Sequence, residues 1–130
     1  RLRMTTLYQV ATANKGIVVG TGNKVEDFGV GFYTKYGDGG VDISPIADCN
    51  KTEVWEIGRE LNILKEIIDA APTDGLWDDG RTDEGQLGLK YKELEEAMNN
   101  PNSPNREKYE KIRKVNLHKM KPIPVCKIPN

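Results

Sequence analysis

Groups able to hold phosphates and a divalent cation recur between residues 21 and 51. Thr21 stands in a turn flanked by glycines, where its hydroxyl or backbone amide can donate to a phosphate. Glu26 lies one turn into the following helix with an oxygen-only side chain of the kind magnesium accepts. Lys35 and Lys51 each adjoin a turn and can neutralise phosphate as mobile point charges. Lys51 also marks a helix start, where free amides attract anions and where its own charge opposes the helix dipole. Between them, FYTKYGDGGVD (32–42) sets two adjacent glycines among aspartates: either a plain surface turn or backbone cleared of side chains for a ligand. From spacing alone, turn and helix-start roles are the simpler account of Thr21 and Glu26. Other chemistries lack support. GDGG is without the GKS or GKT ending of a P-loop, and the single histidine, His118, has no local nucleophile or acid to pair with.

These residues need elements to place them. Met4, Leu7, Val10 and Ala11 fall at helical spacing and predict an amphipathic helix over 2–14. GIVVG follows, an apolar β-branched run without polar alternation, as expected of a parallel strand buried on both faces. KVEDFGVG reads as a short helix and VDISPIAD as an extended segment broken at Pro45. Asn50 and Glu53 form a capping pair for a helix over 51–62 that buries Val54, Ile57 and Leu61. LKEIIDA is a second short helix, stopped by Pro72. Residues 73–88 alternate acids with glycines and read as a mobile loop. KYKELEEAM and REKYEKIRKVNLHKM are helices, the latter with Tyr109, Ile112 and Val115 as its apolar edge, and prolines keep 120–130 extended. The alternation predicts an α/β architecture, a parallel sheet flanked by helices, whose ligands bind beyond the carboxyl ends of the strands.

Composition narrows the function classes. The 130 residues suit one domain, and 19 basic against 20 acidic side chains give a net charge of -1, which argues against a nucleic-acid footprint spread over the surface. Cys49 and Cys126 are distant and lack metal-ligand spacing, so a reduced, cytosolic setting is the default. No apolar run reaches transmembrane length. The opening RLRMTTLY is neither a signal peptide nor an ordinary translation start, and the expectation is a piece of a larger protein.

The segments RLRMTTLY, GTGNKVED, GFYTKYGDGGVDISPIADCNKTEV, PTDGLW and TDEGQLG, in that order, resemble the C-terminal half of the ammonia-dependent NAD synthetases of the N-type ATP pyrophosphatase superfamily. The resemblance covers residues 1–119, and FYTKYGDGGVD is its most specific part. It implies a Rossmann-like adenine nucleotide alpha-hydrolase fold, here its C-terminal portion, and a cytoplasmic homodimer. The implied reaction is amidation of nicotinic acid adenine dinucleotide (deamido-NAD) by ammonia, with ATP as co-substrate and Mg2+ as cofactor. By the same resemblance Thr21, Lys51 and Thr73 fall at ATP-contacting positions, Glu26 at a metal ligand, and Arg1, Lys35, Asp42, His118 and Lys119 at positions that hold the dinucleotide. Asp83 or Glu84 is expected to receive ammonium, because a carboxylate favours the cation and can take its proton. One departure is plain: the family's Ser-Gly-Gly-x-Asp-Ser loop is not among these residues. The chain alone is therefore expected to be inactive, and the alternative is a non-catalytic dimerisation or nucleotide-binding fragment.

Overall fold

The structure, a computed structural model, describes residues 1–129. Helix α1 spans Leu2–Ala13, a π-helix Lys24–Val30, α2 Lys51–Glu60, α3 Lys65–Ile68, α4 Asp83–Leu87, α5 Tyr91–Asn99 and α6 Arg106–Met120. The core gathers Val25 and Val30 of the π-helix, Leu87, Leu89, Tyr91, Leu94 and Ala97 around α5, and Tyr109 of α6, with Trp55 and Ile112 packed against it. The π-helix is thus wedged between α5 and α6.

Local chemistry explains both its ends. The buried Asn23 side chain accepts from the amides of Val25 and Glu26, each at 3.1 Å, supplying partners that a helix start otherwise lacks. Gly31 closes the other end at φ 69°, and a Cβ there would lie 2.5 Å from Cβ of Asn116, so strain and space both require glycine. At α2 the Glu53 half of the expected capping box forms, its carboxylate accepting from the Asn50 amide at 2.6 Å, while Asn50 Oδ1 is buried without a hydrogen-bond partner.

The expected parallel sheet is not formed among the described residues. Residues 18–20 meet 42–43 in one parallel bridge, Val19 to Ile43, with the Gly20 amide donating to the Ile43 carbonyl at 2.7 Å. Of the GIVVG run Val18 and Gly20 are buried; Ile17 and Val19 are 59% and 54% exposed, against the expectation of a strand covered on both faces. The reason is that a sheet needs neighbours on both edges of its inner strands, and only 42–43 lie alongside. Ile57 of α2, Leu61 just past its end and Val115 of α6 are exposed too, where helical periodicity predicts burial. In α1, likewise, Leu7 and Val10 are exposed. Within the acidic stretch 73–88, α4 is an ordered turn of helix capped by Thr82, whose hydroxyl accepts from the Gly85 amide at 3.1 Å. Residues 121–129 contain no helix or strand, as the prolines require.

Candidate active site

Two groups of side chains, one at Glu26 and one around the GDGG turn, contain most of the residues singled out in the sequence. In the first, Glu26 and Lys51 meet, with Lys51 Nζ donating to Glu26 Oε1 at 3.1 Å, both side chains less than a fifth exposed. The π-helix presents Glu26 and the first turn of α2 presents Lys51. Asn23 Nδ2 donates to the other oxygen, Glu26 Oε2, at 2.5 Å. Asn23 therefore caps the π-helix through its oxygen and holds the acid through its nitrogen.

Tyr91, at the start of α5, completes this group and was not singled out in the sequence. Its hydroxyl donates to Glu26 Oε1 and lies 3.3 Å from Asp83 Oδ2. Its ring sits 5.0 Å from Lys51 Nζ and takes the edge of Trp55 at 5.8 Å between centroids. KYKELEE presents Tyr91 as one more apolar position of an amphipathic helix, and only the fold brings its hydroxyl to two carboxylates. Burial, with Glu26 nearby, raises the pKa of the Tyr91 phenol. The same two causes raise that of the Asp83 carboxyl. Asp83 Oδ1 is buried without a hydrogen-bond partner, a cost that a bound donor or cation would remove. Glu84 is engaged differently: its Oε1 accepts from the Tyr91 amide at 2.9 Å and so caps α5. Thr73 is exposed between Pro72, whose carbonyl accepts from the Asp83 amide at 3.0 Å, and Asp74, whose carboxylate accepts from Gln86 at 3.2 Å. Thr21 is exposed as well.

The second group surrounds the GDGG turn. Lys35 Nζ donates to the His118 carbonyl at 2.8 Å, and Lys119 Nζ donates to the carbonyls of Gly31 and Tyr33 at 2.8 and 2.7 Å. The end of α6 is thereby fastened to the turn, with the His118 side chain left exposed. Asp42 closes the motif, its carboxylate accepting from the Val18 amide at 2.8 Å and from the Tyr8 hydroxyl at 3.2 Å. The Arg1 backbone nitrogen lies 3.5 Å from where a Cβ of Gly37 would stand. Gly39 has a packing reason to be glycine, since a Cβ there would fall 2.4 Å from the Tyr33 ring. A cleft of about 190 Å3 opens here, lined among others by Gly22, Asp27, Tyr33, Asp38, Gly39 and Lys119. Burial first, then the charges of Glu26 and Asp38, push the Asp27 carboxyl up to about 7. Asp27 is the second residue that spacing did not reveal. Burial lowers the Lys119 pKa.

Neighbouring carboxylates, a lysine at a helix start and a glycine turn fastened by two further lysines define a charge-handling site, not a plain core. The chain belongs to the NAD synthase family, which it matches over residues 1–128. It is 52% identical over 98 residues to an NH(3)-dependent NAD(+) synthetase of Carboxydothermus hydrogenoformans, covering 75% of this chain and 40% of that protein. With the enzyme of the same description from Methanosarcina acetivorans it is 49% identical, covering 75% and 38%. The chain thus spans about two fifths of the curated relatives it matches. Among solved structures, it superposes on an NMN synthetase from Francisella tularensis with a TM-score of 0.86 and 36% identity, covering 99% of this chain and 53% of that one. An NH3-dependent NAD synthetase from Campylobacter jejuni, 21% identical with a TM-score of 0.69, shares the fold and covers 97% and 52%.

Proposed function

We propose that this chain supplies the acceptor-binding and metal-binding part of an ammonia-dependent NAD synthetase. The observation that carries the reading is the meeting of Glu26 and Lys51 with Tyr91 and Asp83, together with the bonds that Lys35 and Lys119 make at the GDGG turn and the end of α6. In this reading a carboxylate oxygen of deamido-NAD bonds to the α-phosphorus of ATP and pyrophosphate leaves. Ammonia then bonds to the carboxyl carbon and AMP leaves with the transferred oxygen. The adenylate step is needed because a free carboxylate has no adequate leaving group for direct amidation at neutral pH.

Roles follow from position. Lys51, with Thr21 and Thr73, faces the ATP phosphates, which compete with Glu26 for the Lys51 ammonium. Arg1, Lys35, Asp42, His118 and Lys119 hold the acceptor around the GDGG turn. Lys119 acts largely by fixing the turn, because its ammonium already serves two carbonyls. Asp83 is the better of the two acids for ammonium, since Oδ1 is orphaned while Glu84 caps α5. Asp83→Asn is expected to raise the ammonium concentration needed for half-maximal rate, and an unchanged value contradicts that role.

Magnesium fits this donor set as a shared ion. The described residues hold no cluster of three metal-ligating side chains. Magnesium, however, commonly takes one or two carboxylates together with substrate phosphates, and Glu26 offers one. When bound, the ion would neutralise charge on the phosphates. The cytoplasmic setting and the homodimer belong to the same proposal. No helix among the described residues is long and apolar enough to cross a membrane.

The high structural likeness to the Francisella NMN synthetase favours a second reading, in which the acceptor is the mononucleotide rather than the dinucleotide. A fusion of this chain to the N-terminal part of the Carboxydothermus relative, given ATP, Mg2+ and ammonium with either acceptor, tests both. Amidation of deamido-NAD supports the first reading, and preference for the mononucleotide replaces it with the second. A folded fusion that releases no AMP with either acceptor contradicts both.

A further inference from the structure

The metal-side carboxylate has an unusual support. Glu26 receives donors from three elements: Asn23 before the π-helix, Lys51 of α2 and Tyr91 of α5. Of these, Tyr91 is the most firmly held. Tyr91 is 1% exposed, its ring is held by Trp55 and the core, and its amide is fixed by Glu84. A phenol buried so deeply must find an acceptor, and a Glu side chain with three rotatable bonds gains most from a fixed donor. The hydroxyl also stands 3.3 Å from Asp83 of the acidic stretch.

We propose that Tyr91 is a positioning residue: its hydroxyl gives its one hydrogen to Glu26 and so fixes that carboxylate, beside Asp83, as ligands arrive. The functional half of this inference rests on the reading of Glu26 given above. The bond itself does not.

Tyr91→Phe keeps the ring and removes only the hydroxyl. In this chain, thermal unfolding of Tyr91→Phe, Glu26→Ala and the double variant forms a mutant cycle, since Ala leaves no oxygen to accept from the phenol. The expected result is a double variant whose loss in midpoint falls clearly short of the summed single losses. Additive losses overturn the bond. In the fusion enzyme, Tyr91→Phe is expected to raise the Mg2+ concentration for half-maximal rate by about tenfold, as removal of a partner that orients a metal ligand does. The maximal rate at saturating Mg2+ is expected to be largely restored. A purely structural role lowers the rate equally at every Mg2+ concentration, and that result overturns the proposal. If the fusion with Tyr91 intact is inactive, the functional reading fails while the cycle still decides the bond.

Discussion

Glu26 illustrates how little a residue's own sequence position says about its use. At a helix start it is an ordinary favourable charge; in the fold it is the acceptor shared by Asn23, Lys51 and Tyr91. Its neighbour Asp27 pays for a different placement, in the cleft below the GDGG turn with its carboxyl pushed up to about 7 by burial and by Glu26 and Asp38. The folded chain therefore binds this proton more tightly than the unfolded one, whose aspartate titrates near 3.8. Stability must fall as pH rises from about 4 to about 7, and the penalty is complete above the folded pKa. Asp27→Asn, which cannot ionise, is expected to unfold at a higher temperature than the parent at pH 8 and to lose that advantage at pH 4; an equal difference at both pH values contradicts the assignment. Lys35 offers a second test at this scale. It joins the turn to α6 through the His118 carbonyl, while Lys51 is bonded to Glu26. Lys35→Ala should therefore weaken deamido-NAD more than ATP, as read from the two KM values in the fusion enzyme, and an equal loss of both removes its assigned role.

At the scale of elements, the π-helix joins the two groups, and its cap is the single contact most worth breaking. Asn23→Ala removes acceptors from two amides and a donor from Glu26. A lost cap alone costs about 1 kcal/mol, and orphaning buried groups adds about 1–3 kcal/mol. Urea unfolding should show a loss at the upper end of that combined range, and a loss below about 0.5 kcal/mol would mean that the cap is replaced by water. Helices α2, α5 and α6 were legible in the sequence because capping residues, prolines and apolar periodicity are local signals. The π-helix was legible only as a short helix, since its wide turn is imposed by packing against α5 and α6. Tyr91 was hidden for a related reason: its ring follows the apolar pattern, and the meeting of its hydroxyl with Glu26 spans 65 positions of sequence. The paired carboxylate and lysine, and the glycine turn, were visible as residue types. Their grouping at Glu26 and around the GDGG turn was not.

At the scale of the molecule, the exposed apolar side chains on α1 and the GIVVG segment stand beside one short parallel bridge. Ile17 and Val19 are the edge from which the expected sheet would grow, and the chain spans about two fifths of its curated relatives. An exposed apolar edge of this kind is a pairing and aggregation hazard. Ile17→Thr with Val19→Thr is accordingly expected to reduce self-association of the isolated chain in sedimentation, with helix content retained; unchanged association contradicts a role for that edge. We propose that these residues carry the acceptor and metal side of the site and not the whole of it. The most direct measurement is NAD formation by the isolated 130-residue chain, its helices verified by circular dichroism, with ATP, Mg2+, ammonium and deamido-NAD. The expected result is no NAD from the chain alone; sustained turnover by it overturns the proposal.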